Sequence, residues 1–183
     1  SSFKPYVYLT AFTKGYFPET MLYDVETEFD AGNDKTYKPL NYNGQYNGPL
    51  PMKKALGGSL NIPAVKTLYL VGVKDAIKLA KDLGIKGLND PERVGLSLVL
   101  GGGEVQLLDH VNAYSTLATG GIHHDKVSIL NIKDANGNTL EEYQEKAGDR
   151  VVDEKYVAML DSILSDNSNR AWVFGESSPL RFD

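Results

Sequence analysis

The sequence predicts an α+β chain that consists mainly of helices and carries one β-hairpin. Between Lys74 and Leu83, apolar side chains recur every three or four residues, which is the spacing of one helix face. Between Lys126 and Gln144, the dipeptide Asn136-Gly137 is typical of the tight turn that joins two antiparallel strands. These patterns predict a helical body and place the main β element near Asn136.

The composition is that of an ordinary globular protein, since 42% of the 183 residues are hydrophobic and 23% are charged. The net charge of −5 argues against nucleic acid as a partner, because no stripe of Lys and Arg is present to neutralise phosphates. The absence of cysteine excludes disulfides and thiolate metal sites. No apolar run approaches the roughly 18 residues that predict a membrane-spanning helix. The length fits one domain or part of a larger one.

The first helix is predicted from Ser1 to Lys14, with Gly15 as its C-terminal cap. Its side chains are apolar almost all round, which indicates a buried helix. Pro5 fits the first turn, where its missing N–H is no loss, so Ser1 falls at the positive end of the helix dipole. Burial of this helix would place Lys4 where desolvation acts on its amine.

The segment 16–50 has little periodicity and many residues that break regular structure, among them Pro39, Asn43-Gly44 and Pro49. It is long for a loop within a compact domain, which favours a functional segment over a passive connection. A poorly ordered surface excursion is the alternative interpretation.

Three further elements follow this segment. A short helix begins at Pro51 and is broken by Gly57-Gly58. The loop Ser59-Leu60-Asn61 comes next, and a second helix begins near Pro63 and runs to about Leu70. In the helix Lys74–Leu83, Gly84 is the cap and an ion pair is predicted on the polar face. The residues of that pair and of the apolar face are Lys78 with Asp82, and Ala76, Leu79, Ala80 and Leu83.

The second half of the chain starts with a glycine run. Gly101-Gly102-Gly103 has neither the Lys-Ser/Thr ending of a phosphate-binding loop nor Rossmann spacing, so we interpret it as a tight turn. The next helix is predicted to bury the face Leu107, Leu108, Val111, Tyr114, Ser115 and Ala118. Asp153 is predicted to cap a helix whose inner face is Tyr156, Val157, Leu160, Ile163 and Leu164. The tail from Asn169 to Gly175 receives no assignment.

The histidines do not predict a metal centre. His123-His124 follows a glycine break, and adjacent histidines point apart on a strand, so a solvated loop is the better interpretation. His110 is predicted to lie on the helix surface. We therefore expect neither a metal nor a cofactor.

Ser1 and Lys4 form the candidate catalytic pair. Residues three apart share one face of a helix, so the Lys4 amine can approach the Ser1 hydroxyl. A serine hydroxyl becomes an effective nucleophile when a neighbouring base takes its proton, and a lysine can be that base when burial lowers its pKa. Ser-x-x-Lys alone also occurs by chance in ordinary capped helices.

The sequence around this pair forms an ordered series of motifs: Ser1-Ser2-Phe3-Lys4-Pro5, then Ala55-Leu56-Gly57-Gly58-Ser59-Leu60-Asn61-Ile62-Pro63, then Leu100-Gly101-Gly102-Gly103-Glu104-Val105 with Ala113-Tyr114. The series closely resembles the transpeptidase domain of penicillin-binding proteins, over essentially the whole chain. The Leu-Gly-Gly-Gly-Glu-Val run and the late segment Ile163-Leu164-Ser165-Asp166 favour the bifunctional class A group.

The resemblance implies a role for each matching residue. Ser1 matches the acyl-accepting nucleophile and Lys4 matches its base. Ser59 matches a hydroxyl that helps to move a proton, and Asn61 matches an amide that holds Lys4 or the substrate peptide. The implied reaction is acyl transfer from D-Ala-D-Ala stem peptides of peptidoglycan, inhibited by β-lactam antibiotics, which mimic that dipeptide. The implied location is the bacterial cell envelope, at the outer face of the cytoplasmic membrane.

The resemblance also has a gap. The family's third motif, Lys-Thr-Gly on a central strand, is absent, because Lys66-Thr67 is followed by Leu68 and falls in a predicted helix. We therefore expect residues 1–183 to be a partial transpeptidase domain. It would hold mainly the helical part of the β-lactamase-like fold, with the central sheet largely missing and any membrane anchor in segments outside it. Phe3 and Val7 would then be exposed or covered by another chain.

Two alternatives stay open. A serine β-lactamase-like hydrolase would share the fold and the nucleophile. It would also need a carboxylate that activates water, and no carboxylate of the sequence can be assigned to that role. A non-catalytic penicillin-sensing or peptidoglycan-binding module would keep the fold without turnover. In every case Ser1, Lys4, Ser59 and Asn61 should converge, with the segment 16–50 beside them.

Overall fold

The computed structural model describes residues 2–30, 36–179 and 181, and the statements below concern these residues. Helices dominate, as predicted. The helices are α1 (Lys4–Thr13), α2 (Met52–Gly57), α3 (Asn61–Val71), α4 (Val73–Asp82), α5 (Pro91–Val94), α6 (Leu107–Ala118), α7 (Glu154–Ser165) and α8 (Ser168–Phe174), with a 3₁₀ helix at Gly95–Leu100.

The strands are short and antiparallel. They are β1 (Met21–Asp24), β2 (Phe29–Asp30), β3 (Thr36–Tyr37), β4 (Gly48–Pro51), β5 (Ile122–His123), β6 (Asn131–Lys133), β7 (Thr139–Glu142) and β8 (Asp149–Arg150). They pair as β1–β4, β2–β3, β5–β8 and β6–β7, each a separate two-stranded ribbon. The described residues therefore form no five-stranded central sheet, in agreement with the prediction for the fold.

Helix α1 is the centre of the core and packs against α3, α4 and α7. It ends as predicted, with Gly15 in the left-handed region at φ 91°. It begins at Lys4, three residues later than predicted, after a turn at Ser2 and Phe3. The expectation that Phe3 and Val7 are exposed is wrong, because they are only 6% and 0% exposed. Helices of this same chain enclose α1 on the sides that were assigned to a missing sheet.

The segment 16–50 is less irregular than its composition predicts. Strand β1 pairs with β4 over four residues, from Met21 opposite Pro51 to Asp24 opposite Gly48. This ribbon has four residue pairs and the predicted hairpin, β6–β7, has three, so the prediction that the hairpin is the main β element is wrong. The hairpin itself is confirmed as β6–β7, with Gly137 at φ 86° in its turn.

The predicted pattern of α4 is confirmed. Its apolar face is buried, and Lys78 donates a hydrogen bond to Asp82 at 2.7 Å on the polar face. The turn interpretation of the glycine run is also confirmed, since Gly101 takes the left-handed conformation at φ 104° after the 3₁₀ helix. A side chain at Gly102 would collide with Ser97, because the Ser97 Oγ lies well inside van der Waals distance of the position of a Cβ.

Helix α6 buries the opposite face from the one predicted. Leu107, Leu108 and Val111 are 78%, 63% and 57% exposed. The buried residues are Asp109, Ala113, Thr116 and Leu117. Asp109 tolerates burial because its carboxylate accepts hydrogen bonds from the Lys86 backbone N–H and from the Lys126 ammonium. A charged residue whose charge is satisfied by hydrogen bonds can therefore be buried in a helix while leucines of the same helix stay exposed.

Of the last two helices, α7 was predicted and is confirmed, whereas α8 was not predicted. Asp153 caps α7 by accepting a hydrogen bond from the Lys155 N–H, and α7 buries Val157, Leu160 and Ile163 as predicted. Helix α8 occupies the tail that received no assignment. It lies directly against the end of α2, where a Cβ on Gly57 would come within 2.5 Å of the Asn169 carbonyl oxygen. Only glycine permits this close approach of two backbones.

Candidate active site

Lys4 occupies the first turn of α1 and is only 1% exposed. Its Nζ donates to the Ser59 carbonyl at 2.5 Å, to Ser59 Oγ at 3.1 Å and to Asn61 Oδ1 at 2.9 Å. The three hydrogens of the ammonium are thereby all used. The structure thus brings together three of the four residues expected to converge. The fourth, Ser1, lies outside the described residues.

All three partners of Lys4 are uncharged. Burial disfavours the ammonium form and lowers the pKa of Lys4 to about 8. A lysine with this pKa reaches the neutral form far more readily than one in water. Only the neutral amine can accept a proton, so the geometry and the pKa both suit a general base.

Ser59 lies in an uncommon backbone conformation that turns it towards Lys4. It is the one non-glycine residue with positive φ among those described, at φ 53°. The Ser59 N–H bonds the Leu56 carbonyl and the Leu60 N–H bonds the Ala55 carbonyl, which together close α2 in a Schellman motif. Glycine is the usual residue at this left-handed position. A serine here keeps a hydroxyl at the site at the cost of backbone strain.

Asn61 is the first residue of α3, and both ends of its side-chain amide have partners. Its Oδ1 accepts from Lys4, and its Nδ2 donates to the Leu40 carbonyl at 2.9 Å. A flipped amide would place an NH₂ group against the ammonium and an oxygen against the carbonyl. The contacts therefore select one orientation.

Asn41 is a site residue that sequence reasoning missed. Its Oδ1 accepts from the Asn61 N–H at 2.9 Å and from the Ile62 N–H at 3.3 Å. It thus caps the N-terminus of α3 from a distant part of the chain. The prediction that the segment 16–50 lies beside these motifs is confirmed. The signal available in the sequence was weak: one asparagine in a run rich in Asn, Gly and Pro.

A group of rings lies on the other side of α1, and we call Tyr6, His110 and Tyr114 the aromatic cluster. The three ring centroids are 5.2–5.6 Å apart, with edge-to-face geometry. Tyr6 Oη lies 3.2 Å from His110 Nδ1, and Tyr114 Oη donates to the Ser2 carbonyl at 2.9 Å. Burial lowers the pKa of His110, which favours its neutral form. His110 is therefore half-buried rather than on the surface as predicted.

The other residues that were considered lie elsewhere. Lys66 and Thr67 are inside α3, and Lys66 Nζ donates to the Tyr23 carbonyl at 2.5 Å. His123 is half-buried, with Nδ1 3.0 Å from Thr116 Oγ1, so its interpretation as a solvated loop residue is wrong. Within the described ranges, no group of three or more His, Asp or Glu side chains could hold a metal ion. The same ranges contain no helix of the length and apolarity needed to cross a membrane.

The fold and the motif geometry agree with a family match. Residues 1–173 match the model of the penicillin-binding protein transpeptidase domain, and the chain belongs to this family. Penicillin-binding protein 2D of Bacillus subtilis is 36% identical over 167 residues, which cover 90% of this chain and 24% of that protein. Penicillin-binding protein 1A of Neisseria lactamica is 33% identical over 146 residues, covering 79% of this chain and 18% of that protein. The chain thus spans a quarter or less of these relatives, which are of the class A type that was predicted.

Solved structures agree on the fold. Penicillin-binding protein 1A from Haemophilus influenzae has a TM-score of 0.81 at 21% identity, with coverage of 90% of this chain and 29% of that one. PonA1 from Mycobacterium tuberculosis, in complex with penicillin V, has a TM-score of 0.79 at 22% identity, with coverage of 90% and 46%. At this level of identity the likeness concerns the fold.

Proposed function

We propose that residues 1–183 are part of a serine D-Ala-D-Ala transpeptidase domain and supply its nucleophile, its base and its second motif. The observation that carries the proposal is the buried Lys4 ammonium, bound by Ser59 and Asn61 and three residues after Ser1 in the sequence. This is the arrangement that a Ser-x-x-Lys nucleophile needs, because the base must be both close and depressed in pKa.

In the proposed acylation, neutral Lys4 takes the proton of the Ser1 hydroxyl as Ser1 Oγ attacks the carbonyl of a D-Ala-D-Ala stem peptide. The peptide C–N bond breaks, and the leaving D-Ala amine receives the proton from Lys4 through the Ser59 hydroxyl, which lies 3.1 Å from Nζ. Asn61 holds Lys4 and offers its amide to the substrate backbone. An amine of a second stem peptide then attacks the ester carbonyl, its proton passes through Lys4 to Ser1 Oγ as the ester C–O bond breaks, and the new amide bond is the cross-link.

A β-lactam would enter the same first step. Its strained ring amide replaces the D-Ala-D-Ala bond, and ring opening leaves the acyl group on Ser1 without a departing amine. The relatives' names and the penicillin V complex of PonA1 support this partner. The proposed place of action is the bacterial cell envelope, at the outer face of the cytoplasmic membrane, where peptidoglycan is built.

The 183-residue polypeptide alone should be acylated very slowly. Its sequence contains no Lys-Thr-Gly motif, and in this family the strand with that motif supplies an oxyanion donor and the edge where substrate docks. Loss of one oxyanion donor typically costs about 10²–10³ in rate. Loss of the docking edge removes substrate positioning as well.

The test is covalent labelling by a fluorescent penicillin, followed by intact-mass measurement, on a chain that carries these residues together with a Lys-Thr-Gly strand. We expect one acyl group on Ser1, no label in Ser1→Ala and a label reduced by about 10² or more in Lys4→Met. The control is Lys78→Met, which removes a helical lysine from the exposed face of α4 and should leave labelling unchanged.

The outcomes separate the alternatives. A stable, stoichiometric penicillin adduct, together with transfer of the acyl group of a D-Ala-D-Ala stem peptide to an added D-amino acid, supports the transpeptidase. Rapid release of hydrolysed penicillin with turnover indicates a β-lactamase-like hydrolase. A stable penicillin adduct on a chain that transfers no acyl group from a D-Ala-D-Ala stem peptide indicates a sensing module, and an extended chain that is never labelled contradicts the proposal.

A further inference from the structure

The proposed reaction does not use one buried carboxylate, which is linked by hydrogen bonds to the second motif, Ser59-Leu60-Asn61. Asp24, at the end of β1, is 0% exposed. In the described part of the chain no Lys or Arg side chain lies within salt-bridge distance of it, and Lys66 on α3 is a cation that acts on it from further away. A buried charge with no cation in direct contact is expensive unless several donors satisfy it.

The donors come from two asparagines. Asn41 Nδ2 lies 2.8 and 2.9 Å from the two Asp24 carboxylate oxygens. The Asn47 backbone N–H and Nδ2 donate to Asp24 Oδ2 at 3.0 and 2.6 Å. We call Asp24, Asn41 and Asn47 the polar bracket.

The polar bracket fixes the orientation of the Asn41 amide. Because its Nδ2 is held by the carboxylate and by the Gln45 carbonyl at 2.9 Å, its Oδ1 must point the other way. That oxygen accepts the Asn61 N–H, while the neighbouring Leu40 carbonyl accepts Asn61 Nδ2. A chain of hydrogen bonds therefore leads from Asp24 through Asn41 to Asn61 and Lys4.

We propose that Asp24 and Asn41 are positioning residues for the second motif: the Asp24 carboxylate orients the Asn41 amide, Asn41 holds the Asn61 backbone, and the adjacent Leu40 carbonyl is thereby placed to orient the amide with which Asn61 binds Lys4. Neither touches the reacting atoms. Their effect on acylation rests on the proposed function, whereas their effect on the Asn61 amide does not. The proposed function already uses Asn61, but it does not say what holds that amide in place.

The test compares Asp24→Asn, Asn41→Asp and the double variant Asp24→Asn/Asn41→Asp in the chain with the Lys-Thr-Gly strand. Asp24→Asn keeps the shape but places an NH₂ group among donors, and Asn41→Asp places two carboxylates together. The double variant again has one carboxylate and one amide, with the carboxylate at position 41 free to accept the Asn61 N–H. We expect each single variant to lower the limiting rate of penicillin acylation by about 10- to 100-fold with little change in the non-covalent binding constant. The double variant should recover part of the loss, because it restores one carboxylate and one amide but leaves the Gln45 carbonyl without its donor.

The matched control is Asp134→Asn. Asp134 also binds an asparagine Nδ2, at 2.8 Å from Asn138, and two backbone N–H groups, but it does so in the exposed turn of β6–β7. The same substitution there should leave the acylation rate unchanged.

A second readout does not depend on activity. In the NMR spectrum, the Asn61 backbone N–H and side-chain NH₂ should exchange slowly in the unaltered chain and in the double variant. In the single variants they should exchange at least about tenfold faster. Unaltered Asn61 exchange in folded single variants would overturn the proposal, as would rapid exchange in the unaltered chain.

If the unaltered chain is not acylated, the proposed function fails, and Asn61 exchange still decides the positioning role. If both single variants fail to fold, a folded double variant with slow Asn61 exchange supports the proposal, and rapid Asn61 exchange in it or in the unaltered chain overturns it.

Discussion

The polar bracket and the aromatic cluster support two segments on either side of Lys4 in different ways. The bracket holds Asn61 and α3 through directional hydrogen bonds around a buried charge. The cluster holds the turn before α1 through ring packing and one hydrogen bond, from Tyr114 to the Ser2 carbonyl. Lys4 lies between these two supports.

The difference lies in what happens when one member is lost. When a buried charge loses its donors, its desolvation is no longer compensated, and the folded state is destabilised by more than the hydrogen bonds had contributed. A ring that loses a neighbour forfeits about 0.5–1.5 kcal/mol per aromatic pair beyond its buried area, and the remaining rings can shift. The bracket is therefore expected to behave as one unit and the cluster as a sum of contacts.

The largest effect should follow Asn41→Leu. This change removes the Asn41 NH₂ group, which contacts both Asp24 oxygens, and the side-chain cap of α3, and leaves the carboxylate buried. We expect the free energy of unfolding, measured by urea denaturation, to fall by about 3 kcal/mol or more. Asn138→Leu, which removes an exposed donor from Asp134, should cost less than about 1 kcal/mol. Equal losses for the two variants would show that burial of Asp24 carries no special cost.

The next prediction concerns Lys4, which lies between the two supports, and the free energy of unfolding measured as a function of pH. Because the pKa of Lys4 is lowered from 10.5 to about 8, the unfolded chain binds more protons than the folded chain between these values. Stability due to Lys4 is thus lowest below pH 8 and rises as the pH increases towards 10.5. Relative to Lys4→Met, the unaltered chain should gain about 2 kcal/mol between pH 7 and pH 9.5. A flat difference would mean that a charged partner compensates Lys4, which the geometry does not show.

Elements with a local cause were predictable from the sequence. The pattern of α4, the Asp153 cap of α7 and the turn at Asn136-Gly137 each depend on residues within one or two turns of each other. The spacing of the Ser59-x-Asn61 motif and the Ser1-x-x-Lys4 motif was also readable, and with it the family.

Elements decided by distant partners were not predictable. Helix α6 has apolar residues on two faces, and the inward one was chosen by Lys86 and Lys126, which bind Asp109. The role of Asn41 depends on Asp24, 17 residues earlier, and on Asn61, 20 residues later. Neither separation leaves a periodic trace in the sequence, because hydrogen bonds between segments follow the fold rather than create a repeat.

The smallest effect should follow Tyr114→Phe, which removes one hydroxyl from the aromatic cluster and keeps the ring contacts. The lost bond to the Ser2 carbonyl should cost about 0.5–1 kcal/mol of unfolding free energy, because the hydroxyl is near the surface and water can replace it at the carbonyl. The effect on amide exchange in the turn should be larger than the effect on the free energy of unfolding. The Tyr6 N–H, which donates to the Phe3 carbonyl at 3.2 Å in the turn that the cluster supports, should exchange with solvent about three- to tenfold faster. Tyr156→Phe is the matched control, since it alters a half-buried tyrosine on α7 that lines a cleft with Thr10 and Thr13, at the other end of α1. If Tyr114→Phe instead destabilises the chain as much as Asn41→Leu, the cluster is a cooperative unit like the bracket, and the contrast between the two supports is wrong.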